Sequence, residues 1–315
     1  MKARRSVSLR AYRRVTLIAL VALYTIVITG ALVRLTGSGL GCADWPRCSE
    51  ERFIDVSTGH GAIEQVNRLF TGVVAASVIL AVLASVRLND RRRSLTNLAV
   101  GLVVGVLAQV VIGGIVVLTG LNPWANMAHF LVSMILLANA LVLHRLADDR
   151  PDTFSATGAV PVDPASNKSV SIKMVIGTAI LGLAAVVTGT VVTATGPHAG
   201  DEDAVRFGFS IHNVARIHGS AVIATLAAVA LLLWRTKGQS RAFEMRVSRL
   251  LGIASMQAVV GYVQYLADVP ALLVAVHIAL AAGVWLALVD VVYCAWTMRI
   301  RAASRGSGKN RVPFP

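Results

Sequence analysis

Histidines recur at matching places in the two halves of this 315-residue chain. His129 follows Gln109 by twenty positions. The same interval separates His277 from Gln257. Two further histidines stand near the starts of other apolar segments, His60 and His218. Neutral imidazole is a good ligand for iron, and two facing helices can hold a haem between axial histidines. These positions predict a ligand site in each half, while the glutamines are expected to form interhelical hydrogen bonds.

A glycine-rich stretch also occurs twice. Residues 29–41 read TGALVRLTGSGLG, and residues 188–200 read TGTVVTATGPHAG. Such repetition indicates that one unit has been duplicated, so that equivalent helices of each half build equivalent sites. A lone histidine on an apolar helix is most often packed in a core. Four histidines at one depth favour ligation instead, because polar groups within a membrane span are costly and usually functional. Zinc is less favoured, because no carboxylate or thiolate cluster accompanies the histidines.

The composition indicates a membrane protein. Apolar residues make up 56% of the chain and charged residues only 15%, which is unlike a soluble enzyme. Eight apolar segments are each long enough to cross a bilayer core of about 30 Å. Pro270 separates the last two segments, because proline cannot continue the preceding helix. The predicted spans are 15–36, 62–86, 95–118, 127–147, 172–194, 213–234, 247–267 and 271–298. The expected fold class is an all-α membrane protein with eight transmembrane helices in two pseudo-symmetric four-helix bundles.

The positive charge follows the membrane topology. With both termini in the cytoplasm, cytoplasmic segments hold 24 of the 30 Lys and Arg residues, in agreement with the positive-inside rule. The net charge of +14 does not indicate nucleic-acid binding, because no soluble module with aromatic or helical readers accompanies it. We therefore expect a multi-pass protein of the cell (plasma) membrane.

Five parts follow from this topology. They are a basic cytoplasmic tail (1–14), an N-terminal four-helix half (15–147) with an external cysteine loop (37–60), a cytoplasmic linker (148–171), a C-terminal four-helix half (172–298) and a cytoplasmic tail (299–315). The linker is rich in Pro, Ser, Asp and Gly, which is typical of a flexible connection. The tail from Arg301 onward is small, polar and basic, and is expected to be disordered.

The two halves differ at a position that matters for ligation. Asn67 stands where the second half has His218. His60 precedes Asn67 by two helical turns with Glu64 between them, so the three can share one helical face. Glu64 could form an i,i+4 ion pair with Arg68, or it could act chemically. Because the second half has no equivalent acid, we expect the first half to carry the chemistry and the second to hold an electron-transfer or structural haem.

Other polar residues at the external ends of the spans allow two interpretations each. Arg34, Arg68 and Arg216 could bind haem propionates, or they could be ordinary interfacial arginines. Cys42 and Cys48 share the first external loop, where they could form a disulfide or remain as thiols.

Four elements together resemble the haem A synthase family, in particular its actinobacterial-type bacterial members. They are the loop TGSGLGCADWPRC (36–48), the element E-x-x-N-R (64–68), the loop TGPHAGD (195–201) and the repeated histidines. The match covers residues 15–298. The resemblance implies eight spans in two four-helix halves. It also implies an oxidase that converts the C8 methyl group of haem O to a formyl group by successive hydroxylations, for cytochrome oxidase assembly.

The resemblance assigns a role to each matched residue. His218 and His277 would ligate a permanent haem b in the second half. His129 would face the substrate haem in the first half, where Glu64 occupies the position of the functional glutamate. That glutamate would accept a proton or stabilise cationic charge.

The resemblance also implies a disulfide between Cys42 and Cys48. Asn67 departs from the family pattern, since better-known members have a histidine there. His60 could replace that histidine, or the substrate iron could keep an open position. Haem O would enter laterally from the bilayer after release by a haem O synthase, become haem A, and pass electrons through haem b to an acceptor.

Two other functions compete with this interpretation. A di-haem electron-transfer protein of the cytochrome b561 type would account for the histidines without modifying haem, but it leaves Glu64 and the cysteine loop unexplained. An inverted-repeat transporter is disfavoured, because four helices per half keep the repeats parallel and no broken helix is apparent at mid-membrane.

Overall fold

The computed structural model describes residues 6–89, 92–148 and 170–306, and these ranges contain eight α-helices and no β-sheet. The helices are α1 (Leu9–Leu35), α2 (Gly59–Ser85), α3 (Arg93–Leu118), α4 (Pro123–Ala147), α5 (Ile172–Thr195), α6 (Ile211–Thr236), α7 (Arg241–Leu266) and α8 (Ala271–Gly306). The all-α fold class is therefore confirmed. Each helix contains most or all of one predicted apolar segment.

Helix ends follow local chemistry. Side chains of Ser8, Thr58 and Ser240 accept hydrogen bonds from backbone N–H groups in the first turns of α1, α2 and α7. At α4 the Asn122 side chain caps the helix and Pro123 occupies its first turn. The expected break before Pro270 is present, because α7 ends at Leu266 and α8 begins at Ala271.

Helical structure extends into both expected tails. Helix α1 begins at Leu9, within the expected tail 1–14, and α8 continues to Gly306, beyond the expected end of the last span. The expected disorder from Arg301 onward therefore does not apply to the backbone up to Gly306. Most of the expected linker 148–171 and the final residues 307–315 lie outside the described ranges.

The helices contact one another in two rings of four. Helix α1 packs against α2 and α4, and α3 also packs against α2 and α4. Helix α5 packs against α6 and α8, and α7 also packs against α6 and α8. The rings meet where α1 and α4 contact α8 and where α4 contacts α5. The overall pseudo-symmetry of the halves stays a prediction.

Polar contacts join the two halves across this interface. The Tyr24 hydroxyl donates to the carbonyl of Ala279 at 2.8 Å, and the Trp285 indole donates to the carbonyl of Met134 at the same distance. The carboxylate of Asp290 on α8 lies 2.8 Å from Nε of Arg145, on α4. These contacts fix α8 against the first half.

The helices form a multi-pass membrane protein. Seven of the eight described helices are long and apolar enough to cross a bilayer. The exception is α7, which has 26 residues but begins with charged side chains and is interrupted by Gln257 and Gln264. Large apolar side chains such as Ile223 and Leu272 are exposed on the helix surfaces, as expected of residues that face lipid.

Candidate haem-binding sites

Two imidazole rings face each other in the second half. The ring centroids of His218 on α6 and His277 on α8 are 6.4 Å apart, and their planes are inclined at 78°. Two metal–imidazole bonds of about 2 Å each, together with the distance from each nitrogen to its ring centre, require a separation of roughly 6 Å. The pair therefore fits two axial ligands of one iron.

A threonine sets the tautomer of His218. The Thr188 hydroxyl donates to the carbonyl of Ala184 at 2.8 Å, and its oxygen lies 3.2 Å from Nδ1 of His218. Because a hydroxyl has only one proton to donate, this oxygen accepts the Nδ1–H of the imidazole. Nε2 is left with its lone pair, which is the arrangement that a metal-bound histidine needs.

Glycines make room for both rings. A Cβ atom on Gly189 would lie 3.1 Å from Cε1 of His218, and one on Gly261 would lie 2.7 Å from Cε1 of His277. Any larger residue at Gly261 would push the ring away, because real Cβ atoms do not approach so closely. The two helices that carry these glycines thus lie directly against the imidazoles.

The level of the ring around this pair, called here its open layer, lacks fully buried residues. None of the described residues 183–189, 215–224, 255–266 and 275–281 is buried, although each range lies on a different helix of the ring. Buried side chains reappear further along the helices, at Val229, Leu232, Val247 and Leu250. Close packing is the rule for protein interiors, so an open layer at the level of two histidines fits a large flat ligand.

His129 in the first half has the same setting as His277. The Gln109 side chain donates to the carbonyl of His129 at 3.0 Å, and the Gln257 side chain donates to the carbonyl of His277 at 3.0 Å. In both histidines Nδ1 is buried without a hydrogen-bond partner among the described residues. A Cβ atom on Gly113 would lie 3.4 Å from Cε1 of His129. The expected interhelical role of the two glutamines is therefore observed.

The first half has an open layer of its own. The described residues 66–73, 107–113 and 124–133 include none that is buried. His129 lies in the third of these ranges, and Asn67 lies in the first. The Asn67 side-chain oxygen accepts a hydrogen bond from the Thr29 hydroxyl at 2.8 Å. Thr29 and Thr188 occupy the same place in the repeated stretch, so Asn67 takes the position of the His218 imidazole.

A buried ion pair anchors the cysteine loop, which comprises residues 36–58 between α1 and α2. Nε of Arg68 donates to Oε1 of Glu64 at 2.9 Å. The other carboxylate oxygen, Oε2, accepts from the backbone N–H of Cys42 at 2.8 Å. Arg68 also donates to the carbonyls of Asp44 and Arg47, each at 3.1 Å. The alternative that Glu64 and Arg68 form an i,i+4 pair is thus observed, and the pair also holds the loop.

The predicted disulfide between Cys42 and Cys48 is present. It closes the segment that contains Trp45, whose indole lies against Gly114 on α3. The Arg68 guanidinium stacks over the same indole, 5.1 Å from the ring centroid. Because Gly114 follows Gly113, the Trp45 side chain sits at the edge of the first-half layer that contains His129.

Sequence reasoning missed Trp45 and the two threonines. No spacing rule connects Trp45 to Gly114, since they belong to a loop and to a distant helix. The threonines did carry a signal, because Thr29-Gly30 and Thr188-Gly189 are the first residues of the repeated stretch.

The remaining histidines make local contacts. Nδ1 of His60 lies 2.9 Å from the Ser38 hydroxyl, at the start of α2. Nδ1 of His212 lies 2.8 Å from the Tyr265 hydroxyl. A helical rise of about 1.5 Å per residue puts His60 roughly 10 Å along the axis from Asn67. The structure therefore places His218 and His277 side by side. His60 is instead hydrogen-bonded to Ser38 of the cysteine loop.

The predicted propionate-binding arginines lie in different environments. Arg34 lines a small cavity between the halves, together with Asn126 and Thr193. Its guanidinium forms no ion pair with any residue in the described ranges. Arg68 is already engaged by Glu64, and Arg216 is exposed on α6.

Comparison with known proteins agrees with this architecture. The sequence model of the COX15-CtaA family, described as cytochrome oxidase assembly protein, matches residues 13–60 and 53–289. A heme A synthase of Bacillus pumilus is 34% identical over 135 residues, which is 42% of this chain and 44% of the relative.

Two further relatives give a similar result. A heme A synthase of Geobacillus thermodenitrificans is 34% identical over 149 residues, 45% of each chain. One of Listeria welshimeri is 32% identical over 149 residues, 46% of this chain and 48% of the relative. The matched part is less than half the length of each of these relatives. The family match, in contrast, extends over most of the sequence, and the chain belongs to the COX15-CtaA family of cytochrome oxidase assembly proteins.

Proposed function

We propose that this protein is a haem A synthase, which oxidises the C8 methyl group of haem O to a formyl group by successive hydroxylations. The observation that carries the proposal is the pair of open layers, each lined by a histidine in the same setting, of which only the second has a facing imidazole. The names of the three relatives support the same reaction. Each hydroxylation replaces a C–H bond of the methyl group with a C–O bond, and with water as the oxygen donor it releases two electrons to the electron acceptor and two protons. The doubly hydroxylated carbon then loses water to give the formyl group.

In this proposal the second half binds haem b through His218 and His277. Haem b supplies a one-electron carrier when it is bound. Thr188 keeps His218 in the tautomer that leaves Nε2 available, and Gly261 allows the His277 ring to approach α7 closely through Cε1. These residues therefore orient the ligands and exclude alternative rotamers.

The first half binds the substrate haem O beneath the cysteine loop. His129 faces the substrate, and the macrocycle occupies the level of these helices at which no described residue is buried. Arg34 is the best placed of the three arginines for a propionate, because its guanidinium has no carboxylate partner among the described residues while Arg68 has one. Arg216 would serve the haem of the second half.

Glu64 is the catalytic carboxylate in this proposal, but its hydrogen bonds limit what it can do. Both of its oxygens are occupied, one by Arg68 and one by the Cys42 backbone. The Arg68 contact favours the ionised carboxylate, so Glu64 acts first as a fixed negative charge that stabilises cationic character near the methyl group. Taking up a proton would require Arg68 to move away.

The proposed setting is the plasma membrane, with both termini in the cytoplasm and the cysteine loop outside. All eight helices, including α7, cross the bilayer in this arrangement, which places the basic segments on the cytoplasmic side. Haem O enters laterally from the lipid after synthesis by a haem O synthase. An electron acceptor completes the set of partners.

The competing function is a di-haem electron-transfer protein of the cytochrome b561 type. This function would require two similar bis-histidine sites. It would not explain why the cysteine loop contacts the open layer of the first half. Asn67 and the contact of Trp45 with Gly114 both favour an enzyme over a simple electron carrier.

Co-expression with a haem O synthase tests the proposal. Haems extracted from the purified protein are separated and identified by mass. We expect haem b together with hydroxylated and formyl products of haem O. A protein that is fully loaded with haem b and haem O but yields no oxidised product would overturn the assignment. His129→Ala serves as the control, because it should retain haem b and lose the oxidised products.

A further inference from the structure

We infer that the haem bound in the first half has one protein ligand to iron, His129, and that the Asn67 amide faces the opposite axial position as a hydrogen-bond donor. That position would then be open to a small exchangeable ligand. The inference rests on the proposed function, because it assumes that the first half binds the substrate haem.

The orientation of Asn67 is the first argument. Its oxygen Oδ1 accepts from the Thr29 hydroxyl, so its Nδ2 group must point elsewhere. Among the described residues Nδ2 has no acceptor, and it is not enclosed. A neutral amide nitrogen is a poor ligand for iron, since its lone pair is delocalised into the carbonyl. It is, however, a good hydrogen-bond donor.

The space beside Asn67 is the second argument. Gly30 and Gly189 occupy equivalent places, one residue after Thr29 and Thr188. A Cβ atom on Gly189 would touch the His218 ring, whereas a Cβ atom on Gly30 would have no neighbour within 4 Å. The volume that the imidazole fills in the second half is therefore left open in the first.

The position of His60 is the third argument. Its ring is held by the Ser38 hydroxyl at 2.9 Å, and Ser38 is in turn bonded to Thr36. The ring lies two helical turns from Asn67, a distance of roughly 10 Å along the axis. The His60 side chain is consequently bonded to the loop from the start of α2 and does not replace the imidazole that Asn67 lacks.

Binding of carbon monoxide to the reduced holoprotein tests this inference. Carbon monoxide binds only ferrous haem with an exchangeable axial position, so protein that holds both haems should bind one carbon monoxide per two haems. The His129→Ala variant, which should retain only haem b, assigns the signal to one of the two sites. We expect the first-half haem to bind carbon monoxide and the second-half haem to exclude it. Asn67→His should make the first-half haem low-spin and weaken its carbon monoxide binding at least about ten-fold.

Two further variants separate the parts of the inference. His218→Asn is the matched change in the second half, and it should make the haem b site accessible to carbon monoxide. Asn67→Leu should keep carbon monoxide binding in the first half, with a higher C–O stretching frequency in the infrared because the amide donor is lost. An unchanged frequency would contradict the donor role of Asn67.

The outcomes distinguish this inference from the proposed function. If both haems are present and neither binds carbon monoxide in the unmodified protein, the first-half iron has two protein ligands and the inference is wrong, although haem A formation can still occur. If extraction shows that the first half binds no haem, the proposed function fails together with the inference.

Discussion

Arg68 and Glu64 form a buried ion pair at the start of α2, and the same two side chains hold the backbone of the cysteine loop. Only 6% of the Glu64 side chain and 13% of the Arg68 side chain are exposed. Removing one partner would leave the other charge buried without compensation. The Glu64 carboxylate therefore both anchors the cysteine loop and is the candidate catalytic group. Different substitutions of Glu64 are needed to tell the two roles apart.

Glu64→Ala and Glu64→Gln should differ for this reason. The alanine variant leaves Arg68 unpaired and frees the Cys42 N–H, so we expect a loss of stability of about 3–5 kcal/mol and no haem A. The glutamine variant retains an acceptor for Cys42 and should be the more stable of the two. Thermal unfolding followed by haem b absorbance measures stability, and haem extraction measures product. Normal haem A output from Glu64→Gln would exclude a role for the negative charge.

Gly114→Ala should displace the Trp45 indole from the first-half layer. A Cβ atom there would lie 2.6 Å from Cδ1 of Trp45, which is too close for a real contact. We expect conversion of haem O to fall while the haem b spectrum is unchanged. The control is Gly177→Ala on α5, outside both open layers, where a Cβ atom would have no neighbour within 4 Å. Equal activity of both variants would mean that Trp45 does not position the substrate.

Gly261→Ala should disturb the haem b site specifically. The new methyl group would collide with the His277 ring, whereas Gly252 on the same helix has open space at the equivalent atom. We expect Gly261→Ala to lose the low-spin spectrum of a bis-imidazole haem, and Gly252→Ala to keep it. Absorbance and electron paramagnetic resonance of the purified proteins make the comparison. Retention of the spectrum in Gly261→Ala would argue against His277 as a ligand.

Asp290 should be important for the association of the two halves. Its carboxylate lies between Arg145 on α4 and Arg246 on α7, with 14% of the side chain exposed. Asp290→Asn should lower the stability by about 3–5 kcal/mol, because both arginines lose their common partner. Asp148→Asn is the control, since the Asp148–Arg13 pair is more exposed and contributes less than about 1 kcal/mol. Similar melting temperatures for the two variants would mean that the ion pairs of Asp290 do not stabilise the association of the two halves.

Much of the fold followed from composition and periodicity. Apolar segments of sufficient length predict helices in a membrane because every backbone polar group must be satisfied within its own segment. The fixed interval from Gln109 to His129 and from Gln257 to His277 likewise predicted matched interhelical bonds. Helix ends were less predictable, since α1 and α8 continue beyond the apolar segments into charged residues that a helix tolerates well outside lipid.

The duplication, the histidine pair and the position at which the halves differ could be predicted from the sequence, because they depend on residue identity at fixed spacing. The surroundings of these residues became apparent from the three-dimensional fold. It placed Trp45 on Gly114, used both oxygens of Glu64 to anchor the loop, and tied His60 to Ser38. These contacts join loop residues to helix residues, and no sequence periodicity relates the two. Their geometry therefore depends on how the chain packs in three dimensions.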